Sequence, residues 1–138
     1  MVFSDEINCD LAIIGAGMTG MAASLFAANR GINTVQIGVA SQIIFSSGFL
    51  DLLGVHPVEA GKTWEDPFKA LDQLVNDLPD HPYARVNKNH VRESFQEVTG
   101  FLAKGGLPYQ VNEDRNTRVI TSLGTLKPTY GVPQTMWN

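Results

Sequence analysis

A single cysteine, Cys9, stands in 138 residues. Neither a disulfide framework nor a Cys-rich metal site can be assembled from it, and a reducing compartment is its natural setting. Basic residues are also scarce. Ten Lys and Arg against fourteen Asp and Glu leave a formal net charge of -4, with no basic run. Such a chain has no counter-charge to lay along a phosphate backbone, which excludes electrostatically driven nucleic-acid binding. No uninterrupted apolar run is long enough to cross a bilayer. Residues 11–28 come nearest, but Gly15, Gly17 and Gly20 break them, and the helical part is too short. The first ten residues, MVFSDEINCD, carry acids where a secretory signal carries a basic region and then an apolar core, so they read as unprocessed.

What is present is ordinary in amount, at 43% hydrophobic residues, enough for one core. Residues 11–14 form a continuous apolar run ending in glycine, which predicts a parallel strand buried on both faces. A helix is expected over 19–30, with the small residues Gly20, Ala23 and Ala27 on one face and Gly31 as its left-handed cap. INTVQIG then reads as a second strand. Further on, a loop with a short helix at 50–53 is expected. In WEDPFKALDQLVNDLP, Asp66 and Pro67 predict a helix start, and Phe68, Leu71, Leu74, Val75 and Leu78 its apolar stripe. A third helix is expected over 88–104, with Val91, Phe95, Val98 and Leu102 inward and Gly105-Gly106 ending it. Runs 109–112 and 118–122, around the polar turn 113–116, predict an antiparallel hairpin. The fold class is therefore α/β, an incomplete Rossmann-like arrangement with a β-α-β start, two further helices and a hairpin. The domain expectation is one portion of such a domain over 1–138, with about 107–138 beginning a second, substrate-side β segment.

Gly15, Ala16, Gly17, Met18, Thr19 and Gly20 spell G-x-G-x-x-G between a strand and a helix, the context that gives this motif weight. Gly15 permits a tight turn, Gly17 lets backbone approach a phosphate, and Gly20 lets helix pack on strand. The amides at the helix start then face an anion. A dinucleotide site normally adds an acid at the end of the second strand for the ribose hydroxyls. Here the neighbourhood is Gln36, Ile37, Gly38, Val39 and Ala40, with neither a carboxylate nor an Arg. That counts against NAD and NADP, weakens the adenosine half of FAD, and favours a ligand such as FMN, which needs no ribose anchor. Downstream, Ser46, Ser47 and Gly48 suit an anion or the polar edge of a flavin ring, and equally an ST-turn before a helix. His56, His81 and His90 are the only histidines, without metal-ligand spacing. Two precede prolines and mark turns, although any of the three has the chemistry of a general acid or base. Asp51 has the same two readings, site carboxylate or solvated acid.

The segments IIGAGMTG, FSSGFLDLLG, HPYARV and TSLGTLKPTYGVPQTMW closely resemble the flavoprotein B subunits of anaerobic glycerol-3-phosphate dehydrogenases, relatives of the fumarate reductase and succinate dehydrogenase flavoproteins. The similarity covers nearly the whole chain. It implies a Rossmann-like, flavin-binding subunit that works with a FAD-bearing catalytic subunit and an iron–sulfur, membrane-associated subunit. Together they oxidise sn-glycerol 3-phosphate to dihydroxyacetone phosphate and pass electrons towards quinone. It implies cytoplasmic placement, peripheral on the inner membrane through those partners. Carried over by position, Gly15, Gly17 and Gly20 contact the flavin phosphate, Ser46, Ser47 and Gly48 lie near the flavin, and 121–129 falls near the substrate-side domain; no general base is assigned. Members of that family are several times longer, so this chain is expected to bind flavin weakly and to turn nothing over alone. Two further readings stand with this one: a fumarate reductase-like FAD oxidoreductase, and an inactive module that docks on partner subunits.

Overall fold

The computed structural model describes residues 6–39 and 46–137. The expectation of an unprocessed start rests in part on residues 1–5, and the first part of the loop after the second strand falls on 40–45; both stretches lie outside the described residues. The chain forms two compact units, Met1–Ser47 and Gly48–Asn138.

In the first unit, β1 (Leu11–Ile14) pairs in parallel with β2 (Thr34–Ile37), Leu11 opposite Thr34 and Ile14 opposite Ile37. The helix α1 (Met18–Asn29) connects them. It ends as expected on a left-handed glycine: Gly31 has φ 70°, its amide donates to the Ala28 carbonyl, and the Ile32 amide reaches back to Ala27. That paired arrangement satisfies the carbonyls which a helix end leaves open. The expectation of a strand buried on both faces is not met, since Leu11 is 37% exposed and Ile14 90%. Among the described residues of this unit α1 is the one helix, so it covers one face of the β1–β2 pair and leaves the other open.

In the second unit, α2 (Pro67–Asp77) starts where the sequence indicates. The Asp66 carboxylate accepts from the Phe68 and Lys69 amides, and Pro67 fills the first helical position, where no donor is needed. A short 3-10 turn, Pro82–Arg85, leads to α3 (Lys88–Lys104), which has the predicted span. Phe68, Leu71, Leu74, Val91 and Tyr130 form the core, with Phe95 packed against it. Phe68 and Phe95 both meet the Tyr130 ring edge-on, at centroid distances of 5.9 and 4.8 Å. Leu78 is the exception in the α2 stripe. It is the C-cap, already off helical geometry, and is 51% exposed.

The strands pair differently from the expected hairpin. β3 (Tyr109–Val111) pairs antiparallel with β6 (Gly131–Pro133), and β4 (Thr117–Ile120) with β5 (Leu126–Thr129). The chain is drawn away after β3 at Asn116. Its backbone amide donates to the Glu65 carbonyl, and its side-chain amide to the carbonyls of Leu53 and Trp64. Nor does 50–53 form a helix. Leu50 bridges Gly131 instead, exchanging backbone hydrogen bonds of 2.9 Å with it. Gly131 allows this because a Cβ there would stand 3.2 Å from the Leu50 Cβ.

Candidate functional site

β1 ends in a turn that only glycine makes without strain: Gly15 has φ 122°. Its amide donates to the Ile37 carbonyl at 2.7 Å, which ties the turn to the last residue of β2. Gly17 is the N-cap of α1 and offers no side chain to cap it, and the first helical turn holds no acid. None of the amides of Ala16, Gly17, Met18, Thr19 and Gly20 donates to a backbone carbonyl among the described residues. Five consecutive donors at a helix start have the geometry and the dipole that can receive an anion. No side-chain charge lies in 11–29, and Arg30, the one charged residue of 11–39, is bonded to Phe26 at the far end of α1.

The three glycines serve different purposes. A Cβ on Gly20 would stand 2.2 Å from the Gly15 carbonyl oxygen, so that glycine is required for the helix to lie on the turn. A Cβ on Gly17 would meet nothing within 4 Å, and its φ of -80° suits any residue. Among the described residues nothing demands glycine at 17. The open space next to it is where a phosphate with its ester oxygen can approach the amides, so a flavin or nucleotide phosphate fits this cradle.

The end of β2 supplies a feature that sequence reasoning misses. In the sequence Gln36 stands out only as a residue that is not an acid, yet its Nε2 donates to the Gly15 carbonyl at 2.8 Å. Two residues on, a Cβ at Gly38 would lie 2.6 Å from the Ala16 nitrogen and 2.9 Å from the Gly15 carbonyl carbon. The missing carboxylate is thus a steric matter: the turn occupies the space that a side chain at 38 needs. The readable signal is a polar residue and a glycine two apart, hence on one face of a strand.

Among the other candidates, Met18 and Thr19 are exposed on the first turn of α1 and Ala16 is half-buried. Ser46 and Ser47 are exposed at the end of the first unit, whereas Gly48, with φ 75°, opens the second. The Gly48 carbonyl accepts from the Tyr109 hydroxyl at 2.7 Å, and burial raises that phenol above its usual range. Asp51 is ion-paired with Lys127. His56 is buried, with Nε2 2.8 Å from the Asp77 carboxylate. Its amide donates to Lys62 and its carbonyl accepts from the Trp64 indole, so it fastens a loop to the end of α2. Hydrogen bonds from His56 and then Gln73 hold the Asp77 carboxyl below the ordinary carboxylate range. His81 accepts from the Tyr83 amide and caps the 3-10 turn, and His90 is exposed on α3. The structure therefore brings together residues 15–20 with Gln36 and Gly38, and gives His56 and His81 structural partners.

A strand, a glycine turn whose following amides have no backbone partner among the described residues, a helix and a parallel strand make up a Rossmann-like β-α-β unit. The chain belongs to the FAD binding domain family, which it matches over residues 10–138. It is 39% identical over 126 residues to the B subunit of the anaerobic glycerol-3-phosphate dehydrogenase of Vibrio vulnificus strain YJ016, covering 90% of this chain and 28% of that protein. The corresponding subunits of Vibrio cholerae strain O395 and Aliivibrio fischeri strain MJ11 are 36% and 32% identical over the same share of the chain. The chain thus spans about 28% of the length of the curated relatives it matches. No solved structure matches. Among the described residues no helix is long and apolar enough to cross a membrane.

Proposed function

We propose that this chain is the phosphate-cradling part of a flavin-dependent oxidoreductase subunit of the anaerobic sn-glycerol-3-phosphate dehydrogenase type. The observation that carries the reading is the row of open amides from Ala16 to Gly20, in a chain of the FAD binding domain family. In this reading Gly15 makes the turn, the amides of Ala16 to Gly20 hold the flavin phosphate, and Gly17 keeps the approach clear. Ser46, Ser47 and Gly48 lie at the polar edge of the ring, and about 107–138 begins a substrate-side β segment. The flavin, when bound, supplies the redox chemistry: it takes two electrons as the secondary alcohol of glycerol 3-phosphate becomes the ketone of dihydroxyacetone phosphate, and they pass on towards quinone.

FMN is the flavin that needs no ribose anchor, and the closed space at Gly38 supports it; membership of the FAD binding domain family favours FAD. By similarity the partners are a FAD-bearing catalytic subunit and an iron–sulfur, membrane-associated subunit, with the protein on the cytoplasmic side. The test is to purify the protein by itself, free of the FAD-bearing partner, release the cofactor by denaturation and determine its mass. FMN supports the full reading, FAD overturns the argument from the absent carboxylate, and no flavin overturns the functional assignment.

A further inference from the structure

We propose that Gln36 and Gly38 together set and uncover the Ala16 amide, which makes Gln36 a positioning residue for anion binding at the turn. The inference rests on the reading of that turn as the flavin-phosphate cradle. The Gly15–Ala16 peptide is trans, so its carbonyl and its N–H point in opposite directions. The Gln36 amide holds the carbonyl at 2.8 Å, and this fixes where the Ala16 N–H points. Gly38, just past the end of β2, faces the same peptide, and any side chain there would crowd the Ala16 nitrogen at 2.6 Å. One residue therefore aims the donor and the other leaves it open. The Gly15 φ of 122° makes such a tether useful, because glycine otherwise samples several orientations of the next peptide.

The full chain is titrated with FMN and with FAD, following flavin fluorescence, as wild type, Gln36→Leu, Gln36→Glu and Gly38→Ala. Thermal unfolding and 1H–15N spectra of the flavin-free chains are recorded alongside. Gln36→Leu is expected to weaken binding of whichever flavin the wild type takes by about fivefold, with a drop in the unfolding midpoint no larger than one lost hydrogen bond gives and a shifted Ala16 amide resonance. Gln36→Glu loses the donor at pH 7 and binds more weakly still. Its affinity recovers as the pH falls through the ordinary Glu range, about 4.3, because a protonated carboxyl donates again. Gly38→Ala is expected to weaken binding by about tenfold or more, since backbone atoms must shift. Should Gln36→Leu fail to fold, Gln36→Met keeps the length without the donor and carries the same test. Wild-type binding of flavin with equal affinity in Gln36→Leu overturns the inference and leaves the flavin reading intact. If the wild type binds neither flavin, the flavin reading fails, and the Ala16 resonance still decides: a shift in Gln36→Leu supports the tether and an unmoved resonance refutes it.

Discussion

The two units of this chain are held in opposite ways, one by side chains that are present and the other by side chains that are missing. In the second unit Phe68, Leu71, Leu74, Val91 and Tyr130 close a core, and Asp66 and Asn87 cap its helices. In the first unit Ala27 is the one hydrophobic residue fully buried among the described residues, while Ile14 and Ile37 are 90% and 61% exposed. Its defining contacts are close approaches of backbone to backbone at Gly20 and Gly38. A core tolerates changes of shape better than a backbone crossing tolerates an added atom. The glycine turn is therefore set by a few positions of very small volume, and the second unit by many of large volume.

Truncating the centre of the second unit carries the largest expected effect. Phe68→Ala should cost about 4 kcal/mol, measured by urea denaturation, because it opens a cavity next to Tyr130 and also removes the ring beneath the Arg92 guanidinium. A single methyl in the first unit comes next: Gly20→Ala should cost about 3 kcal/mol, read from exchange protection of the β1 and β2 amides, since its Cβ meets the Gly15 carbonyl at 2.2 Å. A loss close to that of Phe68→Ala would sharpen the contrast, and no loss would break it. Asp66→Ala should cost about 1 kcal/mol by the same denaturation, for it removes two bonds to the first turn of α2. The smallest effect belongs to pH. The Asp77 carboxyl is lowered from 3.8 by its hydrogen bonds, so its contribution is full at neutral pH and is lost as the pH falls through the lowered value. The stability gap between wild type and Asp77→Asn should stay constant above about pH 5 and close below pH 3.8.

Much of this is legible in the chain. The glycine turn, the Gly31 cap, the Asp66 cap and the span of α3 all follow from local rules, because the residue that satisfies each helix end lies within a few positions of it. Pairing over distance is what local rules miss. They match Tyr109–Val111 to its neighbour in sequence, whereas Asn116 is held by carbonyls more than fifty residues away in sequence, at Leu53, Trp64 and Glu65, and β3 finds its partner at Gly131–Pro133. The burial of β1 is misread for a related reason, since an apolar strand reads alike whether one of its faces is covered or both. At the candidate site the absence of an acid at 38 is visible in the sequence. Its cause is not, because the approach of Ala16 to Gly38 and the bond from Gln36 to Gly15 arise only when the turn folds over the strand.

The proposed function depends on the open amides at the start of α1 binding the phosphate of a flavin. Gly17→Ala tests it most directly, because a Cβ there meets nothing within 4 Å and φ is -80°. Stability should change by less than about 1 kcal/mol, the span between Gly and Ala at an N-cap. Flavin affinity, measured on the same sample, should fall by more than about tenfold as the methyl enters the space of the phosphate. Unchanged flavin affinity in Gly17→Ala would contradict the phosphate-cradle assignment.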